Sequence, residues 1–594
     1  MWHTHGPAQL AGARRLGVTA GMVTGVRDDQ PDRLAAALAS RVAPLRQAGL
    51  GFYVGNIATD FYAAYHRWQP DHPLTWLFDE AHARHRADPA DRAAFMRRPS
   101  LSDPAWLGRI AARLRAHVRV LAPLRPLYYS LGDETGIADL TAAWDFDLSP
   151  PSLAAMRVWL RGQYGTLAAL NREWGTGFAG WDEVTPTPTD AALARRDGNF
   201  AGWTDFKAWM DVAFARAVRA GAEAVHAADP TARAAIEGAQ IPGWGGYDYT
   251  LLAGAVDVME ITGADQAQGI AQAFNPALVT LTTATGAGAR EAYGVWRAAL
   301  AGSRGTILWD PDGELVAPDG RPGARWPALA GVLGELGGPV GAYLRAATPH
   351  LDAVAILYSP ASFRVEWLLD RQRDAAAGKD WSLRNSEAEL AETGLRAAMR
   401  QASEGLAHLG LQPRWLSPAM LAGGGLRGAR ALILPHALAL SDAEVTAVRA
   451  FAAGGGTVLA DIPPGGYDGH GRRRDASPLD DVARLLPGLP RAGLGVHLAA
   501  AGVAPRFTLT RPDGAPADDV TIRALRHGDT TLLAFQRDFS EAGDVGGPEA
   551  LTLNLPRPLW VRDLRDGQAA RRVAHLALHL DTATPALLAI STAR

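Results

Sequence analysis

Residues 126–134 read PLYYSLGDE, a short apolar run closed by two adjacent carboxylates. A run of this length, rich in aromatic and aliphatic residues and ending on acids, is the pattern of a buried strand whose last residues leave the core. Six more runs share it: VTAGMV (18–23), GFYVGN (51–56), ARAAIEG (232–238), VDVMEI (256–261), ALVTLTT (277–283) and GTILWD (305–310). Amphipathic segments separate them, among them DRLAAALASRVAPLRQAG before the second run and REAYGVWRAALAG before the last. Short apolar runs alternating with helical segments predict β/α units, and residues 1–347 are read as a (β/α)8 TIM barrel. Only seven strands can be counted. The helix PAQLAGARRLG precedes the first of them, so the eighth belongs upstream: either Met1 and Trp2 are its remnant, or the start is truncated.

The C-terminal ends of these runs carry Asn56, Asp133, Glu134, Glu237, Glu260, Thr283 and Asp310. In a parallel barrel such ends converge on one face, where active sites are built. A single acid there is often only a cap. The repetition predicts a polar, functional mouth.

Beyond residue 347 the pattern resets. AVAILYSP (353–360), ALILPHA (431–437) and SDAEVTAVRAFAAGGGTVLAD (441–461) predict a doubly wound, Rossmann-like or flavodoxin-like α/β domain over 348–490. Ser441 and Glu444 make a capping-box signature. The glycines 454–456 follow a helix and precede a strand, the reverse of a phosphate-binding loop, and read as a helix end and turn. Residues 491–594 alternate short strands with turns and predict a small antiparallel β domain, sandwich-like in pattern.

Composition narrows the function. The chain has 594 residues, 48% hydrophobic and 20% charged, a formal charge of −3 and no cysteine. There is no basic block to bind nucleic acid, and without cysteine there is no disulfide, thiolate metal site or thiol nucleophile. No apolar run reaches membrane-spanning length and none near the N-terminus suits a signal peptide, so a cytoplasmic protein is expected. The excess lies in 18 Trp. Most should be core, but those in loops are candidates for stacking on sugar rings.

Asp133 and Glu134 are the strongest chemical signal. Neighbours in a strand point to opposite sides, so one of the two serves a given pocket. A carboxyl at an apolar strand end beside another carboxylate should have a raised pKa, as a general acid near neutral pH requires. A helix cap with a solvated acid would give the same two letters.

Context decides. VWLRGQYGTLAALNREWGTGFAGW, within residues 151–186, resembles the segment that follows the acid/base strand in family 42 β-galactosidases and related clan-A glycosidases. RRPSLSDPAW (97–106) resembles the stretch before that strand, and SPASF with LILPHALALSDAEVTAVRAFAAGGGTVLAD resembles their trimerisation domain. The resemblance implies that Glu134 is the acid/base, that the α/β domain trimerises, and that the substrate is a carbohydrate. Asp133 stands where the clan carries the Asn that binds the sugar 2-hydroxyl, which shifts attention from β-galactosides toward β-mannosides, as in the architecturally similar family 164.

A retaining glycosidase also needs a nucleophilic carboxylate about 5–5.5 Å from the acid/base. The clan places it at the end of the seventh strand, and ALVTLTTAT offers only Thr. Glu260, one run earlier, is the expected nucleophile, with Glu237 and Asp310 in reserve. Expected substrate contacts are Asp133; Asn56, Asp60 and Trp68 in GNIATDFYAAYHRW; Trp244 and Tyr247 in GWGGYDY; and Trp309 with Asp310. His82 and His85 are expected to be solvated rather than metal-binding, and neither metal nor cofactor is expected. The reading is an exo-acting retaining β-glycosidase on β-galactosides or β-mannosides, working as a homotrimer. Its rival is a carbohydrate-binding barrel that has lost its nucleophile.

Overall fold

The computed structural model describes residues 1–3, 5–26, 31–64, 78–262, 265–539, 548–565 and 569–592. Seven parallel strands pair in chain order: β1 (Ala20–Thr24), β2 (Gly51–Gly55), β3 (Tyr129–Asp133), β4 (Ala234–Ala239), β5 (Val258–Ile261), β6 (Val279–Ala284) and β7 (Gly305–Leu308). Each expected run overlaps one of them. The gap between β7 and β1 is bridged by two residues. The Met1 amino group donates to Ala20 O (2.8 Å), Met22 N donates to Met1 O (3.1 Å), and Trp2 N donates to Leu308 O (3.0 Å). Met1–Trp2 therefore stands in the eighth strand position and makes the sheet a TIM barrel. Counted from there, β3 is fourth and β6 is seventh.

The barrel interior is filled by Tyr53, Tyr128, Ala235 and Val258, with Trp2, Met22, Val279 and Leu281 against them. Tyr53 and Tyr128 stack at 4.8 Å. Every residue of β4 is buried, because its outer face lies under helices and its inner face in this plug. The helix Ala201–Ala228 buries Trp203, Trp209 and Phe214 on the outside. Among the described residues no helix is long and apolar enough to cross a membrane.

β8 (Thr348–Pro349) leaves the barrel and joins the last sheet through β15. β9 (Val354–Leu357), β10 (Arg414–Leu416), β11 (Ala431–Leu434), β12 (Thr457–Ala460) and β13 (Ala483–Leu485) form a parallel sheet in the order β10-β9-β11-β12-β13. The capping box forms as read: Glu444 N donates to Ser441 Oγ and Ser441 N donates to Glu444 Oε2. Gly454 ends that helix and Gly455 turns the chain at φ +89°. The helix Arg491–Ala500 opens the last region and packs on the helix Gly394–His408. β14 (Thr508–Thr510), β15 (Val520–His527), β16 (Thr530–Arg537), β17 (Glu549–Asp563), β18 (Arg571–Leu580) and β19 (Ala586–Ser591) make an antiparallel sheet.

Candidate active site

The mouth is organised around Gly238. It follows Glu237 in β4 at φ +64°, a left-handed conformation that suits glycine. A Cβ there would lie 2.7 Å from Glu134 Cγ. On its other side, Gly238 N donates to Glu260 Oε2 at 2.6 Å. Glu134 and Glu260 therefore flank one glycine, which lets a carboxylate just after β3 and one on β5 approach across β4. Glu134 has φ +45°, and its N–H donates to Glu237 O at 2.9 Å, which turns the chain out of the strand at the acid.

Glu260 is buried, and its second oxygen accepts from Thr283 Oγ1 at 2.9 Å. Burial raises its pKa to about 7, Gly238 N–H and Thr283 hold it down, and Glu134 adds to the rise. Thr283 sits on β6, the seventh barrel position. The strand that offers no acid thus supplies a donor to the acid from the strand before it.

Asp133 is the register partner of Glu237 across β3 and β4. Its backbone N–H donates to Thr59 Oγ1 at 3.1 Å. Burial, then Glu134 and Glu260, lifts the Asp133 carboxyl to about 8. Glu237 lies deeper, accepts from Tyr128 Oη at 2.8 Å, and is held well above the carboxylate range by burial and then by Asp133.

The other expected contacts divide. Asn56 (φ +58°) lies at the mouth, its Oδ1 accepting from Thr59 Oγ1 at 3.2 Å. Trp309 follows β7 and is 39% exposed, the most open large aromatic of the barrel among the described residues. Tyr247 is buried, donates to Thr135 O and faces Glu134, so it braces the turn that carries the acid. Asp60 is drawn into an ion pair with Arg113 (2.7 Å). Asp310 is buried and accepts from Leu315 N and Val316 N (3.0 and 3.1 Å), the work of a loop cap. Trp244 is buried against Trp203 (6.0 Å) and against Trp367 of the α/β unit (5.6 Å). Trp68 lies outside the described residues.

His82 and His85 depart from the solvated expectation. His85 is buried among Phe95, Trp144 and Trp381, and the His82 ring bonds Ser382 O, because residues 381–382 of the α/β unit fold over the helix Phe78–Ala87 that carries both. Among the described residues no group of three or more His, Asp or Glu is placed to hold a metal ion.

Arg97 carried no signal of its own in the sequence. It is buried, and its guanidinium donates to Ile137 O (2.9 Å), Pro99 O (2.7 Å), Phe61 O (2.8 Å) and Gly136 O (3.3 Å). It ties the loop after Glu134 to the loop after β2. Apart from Pro99, its partners are backbone carbonyls far away in sequence, which no local pattern reveals.

A family model described as beta-galactosidase, glycoside hydrolase family 42, matches residues 134–268, the stretch from Glu134 through Glu260. Among solved structures, a β-galactosidase from Bacillus circulans sp. alkalophilus is similar with TM-score 0.67 at 13% identity, over 98% of this chain and 96% of that one. A β-galactosidase from the Antarctic haloarchaeon Halorubrum lacusprofundi gives 0.65 at 13%, over 100% and 98%. A family 42 exo-carrageenase from Bacteroides ovatus gives 0.62 at 14%, over 97% and 80%. No curated protein matches by sequence. The structural likeness gives the fold, the matched segment holds both flanking carboxylates, and the chain is a glycoside hydrolase that resembles the family 42 β-galactosidases.

Proposed function

We propose that the enzyme hydrolyses a β-galactoside or β-mannoside from the chain end with retention, Glu134 acting as acid/base and Glu260 as nucleophile. The observation that carries this is the placement of the two carboxylates on either side of Gly238, with Glu260 fixed by two donors. Glu134 protonates the leaving oxygen while Glu260 attacks the anomeric carbon; Glu134 then takes a proton from water as the glycosyl–enzyme is hydrolysed. Gly238 N–H and Thr283 favour the ionised form of Glu260 that attack requires. Asn56, Asp133 and Trp309 are the proposed sugar contacts. Assembly as a homotrimer through the α/β unit, in the cytoplasm, belongs to the same reading.

A Thr where the clan carries its nucleophile favours the rival, a barrel that binds sugar without cleaving it. Labelling with 2-deoxy-2-fluoro β-galactosyl and β-mannosyl donors separates the two. Attachment at Glu260, located by peptide mass spectrometry, is the expected result. Attachment elsewhere reassigns the nucleophile, and none with either donor would support binding alone.

A further inference from the structure

Residues 135–137, the turn that leads the chain away from Glu134, are gripped from two sides. Arg97 takes the carbonyls of Gly136 and Ile137 on one side. On the other, Tyr247 donates to Thr135 O, and Ile137 N donates to Gly245 O at 3.0 Å. This second grip belongs to the loop 242–247 after β4, which folds back on itself through a bond from Gly243 N to Tyr247 O (3.2 Å). The loop lies hard against the chain that follows the turn: a Cβ on Gly245 would fall 1.8 Å from Leu140 O.

The α/β unit holds that loop from behind. Arg396, in the helix Gly394–His408, donates from Nη1 to Pro242 O at 3.0 Å. Its guanidinium lies over the Phe363 ring (5.4 Å), and a Cβ on Gly243 (φ +150°) would come within 2.6 Å of its Nη2. Beside it Trp244 rests on Trp367, which stacks in turn on Trp203 at 5.4 Å. The rest of this side is not solidly packed: Trp244, Phe363, Trp367 and Arg396 border a cavity of about 320 Å³. The loop therefore has room to move toward the α/β unit once the guanidinium is gone.

Building on the assignment of Glu134 as acid/base, we propose that Arg396 is a positioning residue for that acid, acting through Pro242 and Tyr247, so that the α/β unit sets the proton-donating geometry of the barrel. Glu134 sits in a left-handed conformation, which a residue other than glycine keeps only where its surroundings hold it. Releasing the loop loosens its bonds to Thr135 O and Ile137 N, and the turn that carries the acid can swing. A general acid must stay within hydrogen-bond reach of the leaving oxygen. The step that suffers is this proton transfer and not the attack by Glu260, which is held separately by Gly238 and Thr283.

The test compares kcat/KM on an alkyl β-glycoside, whose leaving oxygen needs a proton, with that on a dinitrophenyl β-glycoside of the same sugar, which needs none. Arg396→Met should lower the first about 10–100-fold and the second by less than about threefold, since a misplaced acid matters only where a proton is required. Arg396→Lys keeps a donor for Pro242 O and should recover most of the loss. Tyr247→Phe cuts the other end of the link and should split the substrates in the same way. The double variant should be no worse than about twofold below the poorer single one, because both changes break one path. Arg364→Met is the control at the same seam: Arg364 pairs with Asp248, one residue past the loop, and its loss should leave the ratio of the two substrates unchanged. Equal losses on both substrates, an unchanged rate on the alkyl glycoside, multiplying losses in the double variant, or the same split in R364M overturns the proposal. Should R396M not fold, R396Q takes its place. If Glu134→Gln itself fails to split the substrates, the acid assignment has failed. If E134Q splits them and R396M does not, only the role of Arg396 has.

Discussion

Two regions of this enzyme bury carboxylates, and they treat them in opposite ways. At the seam between barrel and α/β unit each buried acid meets a base. Arg364 of the α/β unit reaches Asp211 (2.6 Å) and Asp248 (3.5 Å) of the barrel, and Lys207 reaches Asp145 (2.8 Å). His470 reaches Asp205 at 2.8 Å, and Trp174 Nε1 donates to the same carboxylate. At the mouth, Asp133, Glu237 and Glu260 have no Lys, Arg or His partner among the described residues. Burial raises the Asp211 and Asp248 carboxyls, Asp211 to about 7, and Arg364 pulls both back down while tying two elements together. At the mouth the neighbouring carboxyls add to the effect of burial instead of opposing it, and Asp133 and Glu260 are raised to about 8 and about 7. The difference separates the part of the molecule that assembles from the part proposed to react.

The sharpest break in that contrast should come at Glu134. Glu134→Gln keeps the shape and removes the proton donor, so kcat/KM on an alkyl β-glycoside should fall about 10²–10⁴-fold. On a dinitrophenyl glycoside, whose leaving group needs no proton, the first step should be nearly spared. Equal losses on both substrates would show that Glu134 is not the acid. At the seam the effect should be on stability. Arg364→Met leaves Asp211 and Asp248 buried without their cation and should cost about 3–5 kcal/mol in denaturant unfolding, with kcat preserved at low temperature. A drop in kcat without loss of stability would mean that the seam takes part in the reaction.

The smallest expected effect tests the link between β5 and β6. Thr283→Val removes a donor that holds the Glu260 pKa down, so that pKa rises above about 7. A nucleophile must be ionised, so the acidic limb of kcat/KM moves to higher pH. A hydrogen bond to a charged group is worth about 1.5–3 kcal/mol, so activity at pH 6 falls about tenfold or more and recovers at pH 8. An acidic limb that stays in place would remove Glu260 from the titrating pair.

The barrel was legible because its signal is local and repeated. Each of the seven runs carries its own burial pattern, and Glu134 and Glu260 stand at the ends of theirs. β10 and β13 were missed because three residues, RWL and ARL, are too short and too polar to show a period. Among the expected contacts, Asp60 and Trp244 were misplaced by partners distant in sequence, Arg113 in one case and Trp367 in the other. Arg97 was missed for the same reason, since its partners are backbone carbonyls and every residue has one.

By itself the sequence determined the order of β/α units, the α/β region with its capping box, the absence of thiol chemistry and the two strand-end acids. These follow from periodicity and residue type, which act over a few residues. Tertiary structure decided that Met1–Trp2 closes the barrel, that Gly238 lets Glu134 and Glu260 face each other, that Thr283 on the acid-less strand supports Glu260, and that Asp310 is a loop cap. Each of these depends on which strands become neighbours. Hydrogen bonds and charge repulsion act across a few ångströms of space, whatever the separation along the chain.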